Sequence, residues 1–509
     1  MDDGIPMKKL GLMDDAFLRL EGRRVPLHIG VLLLLEPPAN AGEDFTAGIA
    51  QRLRQSTRAA PPFNQRLVRR SGLHYWQEDE NFDLDQHFVH LSLPGPGRVR
   101  ELLEMVSRVH SAHLDREYPL WRMYLIEGLE DGRIALYLKI HHALVDGVAG
   151  MRLLMKSMGT SAAQSQTLPA PWEVRTGKSD TGYLPVPTPA ADSVPTLGRL
   201  ARGGWKSIAP IVRELRDTYG EAGRDHPEQA ECGEAPETLF NQKISASRRF
   251  AAQSYATPRI RAVAETCDAT LNDVVLAMCS GALRRYLSEQ DKLPKKPLIA
   301  AIPVSTRRRG SSHAGNEIAF TLTTLATNID DPALRLRAIK DSMDYNKERL
   351  KRLSSGQVMA YTAATMIPGQ LRNLLGRAER SATNNVVISH VPGPRRDVYW
   401  QGARLLGVYP ASLNIDGSAL NITLVSRHDY VDFGLIACRK TVPSVQRLLD
   451  YLEEELVDLE AGIPAPRRKR PAAAGKADKG RKKAPAGTGK AKRKTRTAGA
   501  RRKKAGASE

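Results

Sequence analysis

Apolar residues along this chain recur with two periods, and an element begins or ends where the period changes. The apolar run in HIGVLLLLEP (28–37) predicts a core strand. DFTAGIAQRLRQST (44–57) and GRVRELLEMVSRVHSAHLD (97–115) place apolar residues three and four apart and predict amphipathic helices. WRMYLIEGL (121–129) and RIALYLKI (133–140) predict paired strands, and GVAGMRLLMKSM (147–158) returns to helical spacing. A second group repeats this mixture. LNDVVLAMCSGALRRYLSEQ (271–290) predicts a long helix, followed by strands at PLIAAIPVST and EIAFTLTTLATNI and a helix from residue 332 to 353. Four further strands, NVVISHVPG, RLLGVYPASL, LNITLVSRHD and YVDFGLIACR, lead to a last helix at 444–462.

Between the two groups, residues 159–240 are rich in Pro, Ser and Thr and hold one helical stretch, 197–220. They read as a crossover linker. The division predicted is therefore an N-terminal α+β portion (1–158), the linker (159–240), a C-terminal α+β portion (241–462) and a tail (463–509).

The tail changes the meaning of the net charge. From Arg467 onward, 18 Lys or Arg face only Asp478 and Glu509, so this segment holds +16 of the overall +20. It has no aromatic or large apolar residue and is predicted to be disordered. Its expected targets are anionic lipid or another polyanion such as nucleic acid or polyphosphate, with a purely solubilising role as the alternative. No apolar run approaches the roughly 20 residues of a transmembrane helix. The N-terminus, MDDGIPMKKLGLMDDAF, lacks the apolar stretch of a secretory signal, so the expected location is cytoplasmic. The four cysteines form no CxxC pair, which argues against a zinc site or a disulfide framework.

Candidate chemistry centres on KIHHALVDGVAG (139–150), where His141 and His142 end a predicted strand just ahead of Asp146 and Gly147. Adjacent strand residues point to opposite faces, and no HExxH or third-ligand cluster is near, so a shared metal is disfavoured. A buried, backbone-bonded histidine and a general base both remain open. A nearby carboxylate can fix a ring's orientation, and glycine permits a sharp turn into the helix. There is no GxSxG elbow, so a base here would activate a substrate hydroxyl rather than a protein nucleophile.

HHxxxDG, met by His141, His142, Asp146 and Gly147, resembles the signature of the coenzyme-A-dependent acyltransferase superfamily. Further stretches narrow the resemblance to the bacterial wax ester synthase/acyl-CoA:diacylglycerol acyltransferases. These are PLHIG (26–30), Pro119–Leu120–Trp121, LNDVVLA with Asn272 and Asp273, IPVSTR (302–307), GN (315–316), SHVPGP (389–394), LNITLVS and DFGLIA. They cover residues from about 8 to 462 in the family's order.

The resemblance implies two chloramphenicol-acetyltransferase-like subdomains with an active-site tunnel at their interface. It implies transfer of a long-chain acyl group from acyl-CoA, a co-substrate, to a fatty alcohol or diacylglycerol, with no bound cofactor and no acyl-enzyme. His142 would be the base and His141 its structural neighbour. Asp146 would orient the loop, with Arg307 as a partner, and Gly147 would meet a backbone requirement. Asn272 and Asp273 would face the histidines across the interface or simply cap their helix. Pro119, Leu120 and Trp121 would wall the acyl tunnel or pack in the core. Ser305, Thr306 and Asn316 would touch CoA or the oxyanion, and Arg307 to Arg309, directly after a predicted strand, would meet its phosphates or form a solvated loop. His390 stands where the family commonly has Asn and would alter acyl preference or local polarity if it lines the tunnel, or be a harmless loop substitution. The enzyme would sit peripherally on the inner membrane face or on lipid inclusions. Rival readings are a condensation-type or small-alcohol acyltransferase and a polyanion-binding protein with an inactive body.

Overall fold

The computed structural model describes residues 6–145, 147–174, 235–305, 318–353, 357–358, 361 and 382–462. Most of the predicted linker and the whole predicted tail therefore lie outside the described residues.

In chain order the first part holds β1 (Met7–Lys9), α1 (Leu12–Leu20), β2 (His28–Glu36), α2 (Phe45–Arg54), β3 (Gln65–Arg70), β4 (Leu73–Glu78) and β5 (Phe88–Ser92). It continues with α3 (Val99–Ser111), β6 (Trp121–Glu127), β7 (Ile134–His141), α4 (Gly147–Lys156) and α5 (Ala162–Gln166). The second part holds β8 (Arg248–Ala256), α6 (Thr257–Thr266), α7 (Leu271–Ser288), β9 (Ile299–Ser305), β10 (Ile318–Thr324) and α8 (Pro332–Lys351). After it come β11 (Val386–Pro392), β12 (Tyr399–Trp400), β13 (Ala403–Ala411), β14 (Leu420–Ser426), β15 (Tyr430–Cys438) and α9 (Arg447–Ala461).

Two six-stranded mixed sheets result, ordered β12-β13-β2-β7-β6-β5 and β10-β9-β11-β14-β15-β8, with a small sheet β1-β4-β3 beside the first. The division at residue 241 does not separate them. β13 comes from the second part yet pairs antiparallel with β2, so the first sheet takes its last two strands from beyond the cut. Leucines 32 to 35 are buried on both faces of the sheet, and β2 is flanked by β7 on one edge and β13 on the other. The sequence pattern shows β13 as a strand but carries no information about which sheet it joins.

The three largest apolar clusters among the described residues follow from this topology. One face of the first sheet packs Leu33, Leu136, Leu138 and Ile140 with α1, α2 and α4. Its other face packs Leu32, Leu34, Tyr137 and α3 against Phe250 of β8 and Ile436 of β15, joining the two sheets. The second sheet is covered by α6 to α9 around Val274, Leu283, Phe433 and Leu452. No helix among the described residues is long and apolar enough to cross a membrane.

Candidate active site

The two histidines leave β7 in different ways. His141 is the last residue of the strand, paired with His28 of β2, and is 1% exposed. Its backbone N–H donates to Leu120 O (2.9 Å), and its Nδ1 accepts the N–H of Ala143 (3.1 Å). That bond leaves the ring proton on Nε2, which lies 3.6 Å from Glu21 Oε1. His142 begins the turn. Its N–H is held by Leu27 O at 3.0 Å, and its half-buried ring packs on Phe17 of α1 with centroids 4.7 Å apart.

Glu21 gathers the surrounding charge. It accepts from Arg116 Nη2 (2.7 Å) and Nε (3.1 Å) and from the Leu27 N–H (3.2 Å). Burial alone would raise its carboxyl, but His141, Arg116 and the Leu27 N–H hold it down to about 2. Nothing in LEGRR marks this glutamate; it reaches the motif only because α1 folds back over the end of β7.

Behind His141 the same face of β7 is polar, as period-2 alternation requires for residues 137, 139 and 141. Lys139 is 1% exposed and donates to Val109 O (2.7 Å) and Ala112 O (2.6 Å), two of the free carbonyls ending α3. Burial and the charge of Arg122 push Lys139 down to about 7. His110 bonds the Tyr137 hydroxyl at 2.6 Å, and His28 Nε2 donates to His110 O at 2.6 Å. Burial, then the charges of Lys139 and Arg248, lower His110 to about 3. His28 is lowered as well, again chiefly by burial. A lysine inside an otherwise apolar strand, YLKI, was the available signal for this layer.

Trp121 is fully buried, donates Nε1–H to Phe63 O (2.8 Å), and stacks on His87 (4.6 Å) and Trp172 (5.7 Å). It packs in the core beneath the first sheet. Leu120 is buried too, and its carbonyl serves as the acceptor for His141, so Pro119–Leu120–Trp121 braces the histidine turn. Gly147 opens α4 with no left-handed φ, and a Cβ there would meet Ile29 at an ordinary 3.6 Å, so no steric demand for glycine is visible.

At the start of α7 the cap is Thr270. Its hydroxyl accepts from Asp273 N, and Asp273 Oδ2 accepts from Thr270 N (2.8 Å) and Oγ1 (2.7 Å), a reciprocal capping box. Asn272 lies half-buried between them. Asp273 is 0% exposed, and α7 packs in the core of the second sheet while the histidine turn belongs to the first. His390 Nε2 bonds Ser426 Oγ across parallel strands β11 and β14, and burial lowers it to about 4. Ser305 ends β9, opposite Ile318. Asp146, Thr306, Asn316 and Arg307 to Arg309 lie outside the described residues. Among the described residues no cluster of three His, Cys, Asp or Glu could hold a metal ion.

Comparison with known proteins fits this site to a class. Residues 10–275 match the wax ester synthase/diacylglycerol acyltransferase catalytic domain, and residues 314–460 match the WS/DGAT C-terminal domain. O-acyltransferase WSD of Acinetobacter baylyi is 43% identical over 459 residues, covering 90% of this chain and 98% of that protein. A putative diacylglycerol O-acyltransferase of Mycobacterium tuberculosis is 43% identical over 463 residues, covering 89% and 99%. The solved wax ester synthase/diacylglycerol acyltransferase of Marinobacter aquaeolei VT8 superposes with a TM-score of 0.73 at 42% identity, covering 89% of this chain and 99% of that one. Fold, motif and matches together define an acyl-CoA-dependent O-acyltransferase. The chain belongs to the wax ester synthase/diacylglycerol acyltransferase family.

Proposed function

We propose that this enzyme moves a long-chain acyl group from acyl-CoA to a fatty alcohol, a diacylglycerol or both, with His142 as the general base. The observation that supports His142 is its place: it opens the turn after β7, half-buried, with its N–H held by Leu27 O and its ring on Phe17, while His141 is 1% exposed. The substrate hydroxyl gives its proton to the His142 imidazole as its oxygen attacks the thioester carbonyl. A C–O bond forms, the tetrahedral oxyanion collapses, the C–S bond breaks, and the imidazolium returns the proton to the departing CoA thiolate. No acyl-enzyme is formed.

Around this centre the remaining assignments are part of the same reading. Asp146 orients the turn, Asn272 contributes an amide to the oxyanion, and Ser305, Thr306 and Asn316 contact CoA. A tunnel between two chloramphenicol-acetyltransferase-like subdomains takes the acyl chain, and the enzyme works peripherally on the inner membrane face or on lipid inclusions. The purified protein with palmitoyl-CoA and equal amounts of hexadecanol and dioleoylglycerol tests the reading. Free thiol and ester product should appear together, and their ratio gives acceptor preference. No thiol release with either acceptor overturns it.

A further inference from the structure

Between Glu21, which lies beside His141, and Leu27, whose carbonyl holds the His142 N–H, the chain makes one tight turn. Gly22 N–H donates to Val25 O (3.2 Å) and Val25 N–H to Gly22 O (2.8 Å). The Leu27 N–H then closes the loop on Glu21 Oε1 (3.2 Å). Whatever shifts this turn therefore shifts a support of each histidine at once.

The turn is gripped from outside its own part of the chain. Arg248, the first residue of β8, is buried and donates Nη2–H to Arg24 O (2.7 Å) and Nη1–H to Ser245 O. Its backbone N–H donates to Ser111 Oγ (2.8 Å) at the end of α3. Arg24 reaches back: its Nη2 lies 3.3 Å from Asp416 Oδ2, while Asp416 Oδ1 accepts the Ile244 N–H (2.8 Å). Val25 packs on Ile244, Ala419 and Cys438. A buried guanidinium is costly unless it is well bonded. Arg248 directs its two arms at two backbone carbonyls, one from each part of the chain, a span that suits a planar fork.

We propose that Arg248 is a positioning residue for acyl transfer. From the second part of the chain it fixes, through Arg24 O, the turn that brings Glu21 to His141 and Leu27 O to His142. The Arg24–Asp416 pair is the second fastening of the same turn. A displacement of β8 against the first sheet is thereby passed to the histidine pair. The catalytic consequence rests on the acyltransferase reading with His142 as base; the hold on the turn is read without turnover.

The test combines hydrogen exchange with steady-state kinetics on the full chain. Arg248→Gln should raise amide exchange over residues 139–145 by about tenfold and leave residues 420–426 of β14 unchanged. Its kcat with palmitoyl-CoA and hexadecanol should fall about tenfold with KM for acyl-CoA held. Arg248→Lys, which keeps the charge without the fork, should recover part of both losses. Asp416→Asn should move both readouts the same way by less. In a Glu21→Gln background, Arg248→Gln should cost little more, because both act through one turn. Unchanged exchange over 139–145 overturns the proposal, as does an equal rise over 420–426, which would make Arg248 a support of its own sheet only. Losses of kcat that multiply independently of Glu21 overturn it too. If Arg248→Gln does not fold, Arg248→Lys and Asp416→Asn decide by the same criteria. Failure of thiol release in the unsubstituted protein would instead sink the functional reading, and the exchange comparison would still decide the hold on the turn.

Discussion

His141 and His142 are one peptide bond apart, yet their surroundings divide them. The motif itself was visible in the sequence, as was the expectation that His142 acts and His141 supports. What supports His141 was not visible, because Glu21 lies 120 residues upstream and Arg116 is unremarkable in REYPLW. Glu21→Gln keeps the shape and removes the charge that Arg116 and His141 share. Steady-state kinetics should show kcat falling about tenfold with KM for acyl-CoA held, since small misplacements of a catalytic group are costly and Glu21 is placed to touch His141 rather than substrate. Full kcat would remove Glu21 from the positioning machinery. Trp121 carries a different lesson. Its tripeptide was legible as a family feature, but whether a tryptophan walls a tunnel or fills a core depends on partners such as Phe63 and Trp172, which no local pattern reveals.

Elements were legible wherever one face is apolar. β2, β6, β7, α3 and α7 fall close to the ranges their periodicity predicts. The β3–β4 hairpin was missed although its signal exists: Ser71 and Gly72 both take positive φ between two alternating runs, a two-residue turn. β8 was missed because RRFAAQSYA has little apolar alternation and gains its place from pairing with β15. At the start of α7 the sequence suggested a cap, and the structure assigns it to Thr270 with Asp273 rather than to Asn272. Asp273→Ala should therefore lower stability in a denaturant melt by about 1 kcal/mol or more, whereas Asn272→Ala should not. An equal loss in both would contradict the capping assignment.

The seam between α3 and β7 also makes a pH prediction. His110 titrates near 6.5 when unfolded and is lowered to about 3 when buried, so between these values the unfolded chain binds the extra proton. Stability from this group is thus intact above 6.5 and falls as the pH drops toward 3, by at most about 1.4 kcal/mol per unit. His110→Gln should flatten that part of the curve in denaturant melts at stepped pH. An unchanged slope would place the acid sensitivity elsewhere.

For the whole molecule, the strands and helices of both parts of the chain were legible, and the pairing of β13 with β2 was not. β13 crosses to pair with β2, and Asp432 of β15 accepts from Val408 N (2.8 Å) on that strand, so the two sheets are joined by more than the linker. Residues 1–240 expressed alone would leave the apolar edge of β2 open and should aggregate or lack a cooperative melt. Supplying 241–462 in trans should restore solubility; a cooperative transition from 1–240 alone would show the first sheet to be independent of β13. The central claim remains proton transfer by His142 in the folded enzyme. His142→Ala, compared with the unsubstituted protein in thiol release from palmitoyl-CoA with hexadecanol and checked by thermal melt, measures it directly. The account predicts an unchanged melt and a rate lower by about a hundredfold to ten-thousandfold; a folded variant that keeps its full rate would contradict it.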